Sequence, residues 1–286
     1  MNKKTLIYKS NKLVEASYRL DLTEKRIILY AIAQYHLQNS PNWTNHECLI
    51  NLKEFAEMFG RDTHNLYPQL KKWTTNLYRR ELTLYEVDEA TGIPITNKTR
   101  WVIAEKTNIS KGFLKIVFNP ELVPHFHNLK DCYTRIPIEN MAKLNTEYAI
   151  RLYELLKQQE DFGRRTIYVA QLRQLFELAD YEYKQFNDLK RWVVQSSINQ
   201  INKHTDLEVS FTTMKEGRTV TAFKFKVLHK DGQKPIKRKP RQTAMRFTQS
   251  SIADSNTPTS ASHKPAKPIV EGKRNPQLIK QLLGKE

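Results

Sequence analysis

Eight glycines stand in a chain of 286 residues, and none belongs to a Gly-rich stretch ending in Gly-Lys-Ser or Gly-Lys-Thr. That excludes the loop that cradles nucleotide phosphates, and with it an ATP-driven motor. Cysteine is scarcer still: Cys48 and Cys132 are isolated, with no Cys-x-x-Cys and no histidine cluster beside either. Neither a disulfide framework nor a structural zinc site fits that spacing, and two buried thiols are expected, with no metal and no cofactor. No apolar run approaches the length of a membrane span, and Met1 to Lys12 has no secretory apolar centre, so a cytoplasmic protein without a membrane partner is expected. Acidic residues are too few to balance the basic ones: 30 against 47, a formal charge of +17. A surplus spread over several segments favours a polyanionic partner, nucleic acid before membrane surface.

The most informative stretch runs from Glu182 to Phe225. At 100° per residue Phe186, Leu189, Val193, Ser197 and Ile201 share one helix face, while Lys184, Asp188, Arg191, Gln195 and Asn199 or Asn202 fall opposite. Leu207, Val209 and Phe211 then alternate with polar residues, as do Phe223, Phe225 and Val227, which predicts two half-buried strands joined at Lys215-Glu216-Gly217-Arg218. A shorter helix over Val169 to Phe176 precedes them, separated by Ala179 to Glu182. Short helix, turn, long helix and basic-tipped hairpin make a winged helix-turn-helix, whose second helix is shaped for the DNA major groove.

The first half carries the same order. Thr23 is placed to cap a helix running to about Gln38, Leu52 to Phe59 makes a short helix closed by Gly60, and His64 to Arg80 makes a longer one. Strands follow at Leu82 to Val87, Arg100 to Lys106 and Phe113 to Phe118, with Asp88 to Thr99 as a wing loop. Leu52, Phe55 and Phe59 match Val169, Leu172 and Phe176 at an offset of 117, and Leu70-Lys71-Lys72-Trp73 matches Leu189-Lys190-Arg191-Trp192 at 119. The expected fold is therefore α+β, a tandem duplication of a winged helix-turn-helix domain with a disordered basic tail. The divisions fall at 1–128 (dimerisation and backbone contacts), 129–230 (sequence-specific binding) and 231–286, a Pro/Ser/Thr-rich tail whose segment 276–283 can form a short amphipathic helix.

These features carry a resemblance. Tyr8-Lys9-Ser10-Asn11-Lys12-Leu13-Val14 with Leu22-Thr23-Glu24-Lys25-Arg26-Ile27-Ile28, and Phe186 to Val193 followed by Ile201 to Leu207, Lys215 to Arg218 and Phe223-Lys224-Phe225, resemble the iteron-binding replication initiator (Rep) proteins of theta-replicating bacterial plasmids. The resemblance implies binding to direct repeats in double-stranded origin DNA, opening of an adjacent AT-rich region, and recruitment of the host initiator and replicative helicase. It further implies a homodimer that represses the protein's own promoter. It implies no enzymatic activity.

For base reading, the candidates are Lys184, Asn187, Asp188, Arg191 and Gln195, because Arg offers paired donors to guanine and Asn or Gln pairs with adenine. A solvated helix face would carry similar residues, but the turn before it and the wing after it point to DNA. Backbone candidates are Lys71, Lys72, Arg79, Arg80, Lys98, Arg100, Arg164, Arg165, Arg173, Lys190, Lys215 and Arg218, cations on helix flanks, wings and turns. Lys190 and its counterpart Lys71 sit close to the apolar sector, so each reaches sideways to phosphate or packs its stem. Trp73 and Trp192 flank apolar stripes and are expected to anchor cores rather than stack on bases.

Two other functions fit parts of the chain. A transcriptional repressor needs only the same DNA binding and dimerisation. A rolling-circle nickase would use His125 and His127 to hold a metal and Tyr153 as nucleophile, yet the histidines follow Pro124 in helix or loop rather than strand, and Tyr153 lies on a stripe assigned to the core.

Overall fold

The computed structural model describes residues 5–37, 46–88, 90–108, 112–127, 129–130 and 132–232, with the side chains of 63–65, 67–71 and 106–108 outside that description. The tail beyond Gly232, including the expected helix at 276–283, also lies outside the described residues. Strand β1 (Leu6–Ser10) leads to a single turn, α1 (Asn11–Val14), capped by the Ser10 hydroxyl accepting from the Leu13 amide. After β2 (Ser17–Tyr18) comes α2 (Leu22–Leu37), buried nearly all round from Thr23 to Ala33. Its cap is Asp21, not Thr23: Asp21 Oδ1 accepts from the Glu24 amide and Glu24 Oε2 from the Asp21 amide, a reciprocal box that leaves Thr23 inside the first turn.

β3 (Glu47–Asn51) ends where Asn51 caps α3 (Leu52–Phe59), and Gly60, at φ 58°, closes that helix in the left-handed conformation its sequence predicts. Next come α4 (Thr63–Arg79), β4 (Glu81–Val87), β5 (Pro94–Arg100), β6 (Val102–Asn108) and β7 (Phe113–Phe118). The second half of the expected wing loop is thus strand. Asp88 accepts from the Ala90 and Thr91 amides to turn the chain, and β5 then pairs with β4 from Val87↔Pro94 to Glu81↔Arg100. A polar, mostly exposed edge strand carries no alternating apolar signal, which is why the sequence reads as loop.

The second half repeats the plan with a simpler wing. β8 (Tyr133–Pro137), α5 (Ile138–Ala142) and α6 (Glu147–Lys157), capped by Thr146, precede β9 (Arg164–Tyr168) and α7 (Val169–Leu175). The long helix, α8, is continuous in three segments, Phe186–Asp188, Leu189–Gln195 and Ser196–His204, and leads into β10 (Leu207–Glu216) and β11 (Thr219–His229). The strand orders are β2-β4-β5, β3-β7-β6, β10-β11-β9 and β1-β8. Because β1 pairs antiparallel with β8 from Leu6↔Pro137 to Ser10↔Tyr133, the N-terminal strand crosses the division drawn at 128/129. A continuous apolar core runs from Ile7 to Val227. Inside it sits a charged cluster: the Glu154 carboxylate receives Lys9 Nζ at 2.7 Å and the Tyr18 hydroxyl at 3.0 Å, with Arg151 alongside at 3.4 Å. Cys48 is buried as expected, whereas Cys132 is exposed.

Candidate nucleic-acid interface

α7, the turn after it and α8 form the second helix-turn-helix, and the turn is held by side chains read from sequence as free. Arg173 donates to the Ala179 carbonyl at 2.6 Å, to Glu182 at 2.9 Å and to Tyr183 at 3.3 Å. Glu182 accepts from the Ala179 amide and takes a two-point contact from Arg19 at 2.5 and 2.7 Å, which holds its carboxyl below the usual range. At the far end of α8, Asn202 exchanges hydrogen bonds with the backbone of Val209 at 2.7 and 2.8 Å, fixing the first wing strand to the helix. Helix and wing are therefore braced at both ends.

Within α8 the segment Leu189–Gln195 is wound as π-helix, and the Ser196 amide donates to the Arg191 carbonyl five residues back. The widened turn moves the register: Leu189, Val193 and Val194 face inward, while Lys190, Arg191 and Trp192 face solvent. Trp192 is 55 % exposed, against the core role its spacing predicts, and the Arg191 guanidinium lies 4.7 Å from the centre of its ring. The matching Trp73 on α4, in regular α-helix, is 9 % exposed and anchors the core as expected.

Asn187, Asp188 and Arg191 are exposed on α8, and Gln195, half-buried, donates to Asn199 at 2.9 Å. Lys184 is exposed but precedes the helix, which starts at Phe186. Lys190 is exposed rather than packed along the apolar sector. Lys215 and Arg218 project at the tip of the β10–β11 wing, beside Gly217 at φ 60°, and Arg164 is exposed on β9. Opposite Arg164 in the sheet lies Lys226, and next along β11 on the same face lies Lys224, both exposed. These two lysines were missed, although their alternation with Phe223, Phe225 and Val227 marks that face.

Other cations have structural partners. Arg165, its side chain 7 % exposed, donates to the Leu155 carbonyl, to Gln158 and to both oxygens of Glu15, so it braces α6 and the N-terminal segment rather than reaching for phosphate. Arg173 is likewise committed to the turn. Arg80 pairs with Glu24 at 2.8 Å, and Lys98 with Glu81 at 2.7 Å with Arg100 nearby at 3.9 Å. Lys98 and Arg100 lie along β5, distant in register from the first wing tip at Asp88 to Ile93. Lys72 and Arg79 on α4 are exposed and have no ion-pair partner among the described residues, and the side chain of Lys71 lies outside them.

The nickase constellation is not assembled. His125 ends a 3-10 turn, Pro120–His125, and contacts the Ser10 hydroxyl at 2.9 Å, while His127 packs edge-on against Tyr35. Tyr153 is 0 % exposed, donating to Asp206 at 2.7 Å and accepting from Asn140 at 2.9 Å, with its phenol pushed well up by burial. Glu160, Asp206 and His229 gather beside it, but the Lys157 ammonium donates to both carboxylates and meets their charge from within the chain.

Two family models match the chain in succession. The model described as initiator replication protein, WH1, matches residues 6–157, and that described as initiator Rep protein, WH2, matches residues 168–227. An uncharacterized 27.6 kDa protein of Escherichia coli is 24% identical over 244 residues, covering 82% of this chain and 98% of that one. The PI protein of Escherichia coli is 24% identical over 257 residues, covering 79% of this chain and 83% of its own length. The crystal structure of Pi initiator protein in complex with iteron DNA aligns with a TM-score of 0.64 at 22% identity, over 79% of this chain and 98% of that one, a likeness of fold. Among the described residues no helix is long and apolar enough to cross a membrane.

Proposed function

The chain belongs to the initiator replication protein family, and from that premise we propose that it initiates plasmid replication in the bacterial cytoplasm by binding direct repeats in double-stranded origin DNA. The observation that carries this reading is the second helix-turn-helix, which sets Asn187, Asp188 and Arg191 on one helix and Lys215 and Arg218 on the adjoining wing tip, all exposed. That is the arrangement in which a helix enters the major groove while a wing meets the flanking backbone. The iteron DNA bound by the structurally similar Pi initiator protein supports repeats as the target. In this reading, opening of an AT-rich segment and recruitment of the host initiator and replicative helicase follow binding, a homodimer represses the protein's own promoter, and no catalytic step is performed by the chain.

The test is binding to the repeats beside the gene together with a nicking assay in magnesium. Stepwise occupancy without cleavage supports the initiator; strand-specific nicking lost on Tyr153→Phe overturns it. A plasmid bearing the cognate origin should replicate only when the protein is supplied, an outcome that a plain repressor would not give. Arg191→Ala should cost about 1–3 kcal/mol on the preferred duplex and relax preference at one base pair. An equal loss on a random duplex would remove direct readout from Arg191.

A further inference from the structure

The π-wound turn of α8 turns an otherwise core-facing tryptophan out of the protein. A helix that wound regularly would place Trp192 three residues on from buried Leu189 and on its face, as Trp73 is placed on α4. An extra residue in the turn keeps Val193 inward, brings Val194 in beside it and leaves the indole exposed against the Arg191 guanidinium. A large aromatic surface left in water and met by the Arg191 guanidinium is apolar area open to a partner.

We propose that Trp192 is a specificity-determining residue that packs its exposed indole on a thymine methyl in the major groove and holds Arg191 flat for the neighbouring guanine. This inference rests on the DNA-reading function argued above. The major groove offers one apolar feature, the C5-methyl of thymine, and an exposed aromatic on a groove-facing helix has that group as its match. The stacked guanidinium, 4.7 Å from the ring centre, keeps its donor fork planar against the indole, which suits the paired acceptors O6 and N7 of guanine. The positive charge of Arg191 beside it, with exposed Lys190 on the same helix and Lys184 just before it, attracts the phosphates that seat the helix in the groove.

The experiment selects a preferred duplex from a randomised library with the full chain, then replaces each thymine in turn by deoxyuridine, which deletes only the methyl. Loss of about fourfold in affinity is expected at one thymine beside a guanine, the value of one buried carbon group. Trp192→Ala should bind the original duplex less tightly and should not distinguish thymine from deoxyuridine at that position; Trp192→Phe should retain part of the discrimination. Far-ultraviolet circular dichroism checks that the variants fold, and Trp192→Phe serves if the alanine variant does not. If the wild type shows methyl sensitivity that Trp192→Ala leaves unchanged, or no methyl sensitivity at all, the proposal falls while the DNA-reading function stands. If the wild type enriches no sequence, the function and the proposal fall together.

Discussion

Strip the carboxylate from Glu154 and three cations lose their counter-ion inside the protein. Lys9 and Arg151 contact it directly, and Lys25 is near enough for its charge to be felt. Burial by itself would raise the Glu154 carboxyl, but Lys9, Lys25 and Arg151 outweigh it and hold the group at about 2. Removing one member of a buried ion pair costs about 3–5 kcal/mol, because the partner stays buried and uncompensated. Glu154→Ala should lose stability on that scale, seen as a lower urea midpoint at unchanged slope. The sign with pH follows from the depressed value: the stabilisation is complete above the ordinary glutamate range and is lost as pH falls toward about 2. The gap between wild type and Glu154→Gln should therefore narrow steadily through that acid window; a constant gap would mean that the carboxylate's charge does not matter. Nothing local marks these residues, since Lys9 and Glu154 are 145 positions apart and each reads alone as a surface charge.

At the scale of the element, the turn between α7 and α8 sets where α8, the proposed reading helix, points. Arg173 closes it by satisfying three carbonyls. Arg173→Ala should cost about 1–3 kcal/mol through those stranded acceptors, and should also weaken binding to the preferred duplex by displacing the start of α8. Thermal unfolding separates this from a phosphate contact: were Arg173 touching DNA, affinity would fall while the melting temperature stayed put. The order of helices, turn and wing was legible because apolar spacing repeats in both halves and Gly60 and Gly217 sit where left-handed backbone is needed. Particular side chains were not. Arg173 looks free in sequence because its acceptors are backbone carbonyls, which no residue type announces, and Arg165 because its carboxylate partner, Glu15, stands 150 positions away. Trp192 was misassigned because spacing arguments assume 3.6 residues per turn, and a π-wound turn breaks that assumption. Lys98 reads as part of a wing loop, with Arg100 at its end, because β5 is too polar to be read as strand.

The molecule as a whole is an electrostatic object before it is a specific one. Of its +17, residues 231–286 hold twelve basic and four acidic side chains, so +8 stands beyond Lys230. Charge of this kind acts on any duplex, since each phosphate neutralised releases counterions and steepens the fall of affinity with salt by about 0.9. Lys72, exposed and without an ion-pair partner among the described residues, is a fixed instance: Lys72→Ala should weaken binding to all sequences alike and lower the salt slope by about one. An unchanged slope removes it from the contacts. Ending the chain after Lys230 should lower the slope by more than Lys72→Ala does, with the loss in affinity greatest at low salt and equal on preferred and random duplexes. The preferred sequence should not change, because the residues proposed to meet base edges lie on or just before α8, which the truncation leaves entire. Binding titrations at several salt concentrations, on both duplexes, measure slope and preference together. A truncated chain that kept its slope but lost its preference would move specificity into the tail and away from the helix that the structure presents.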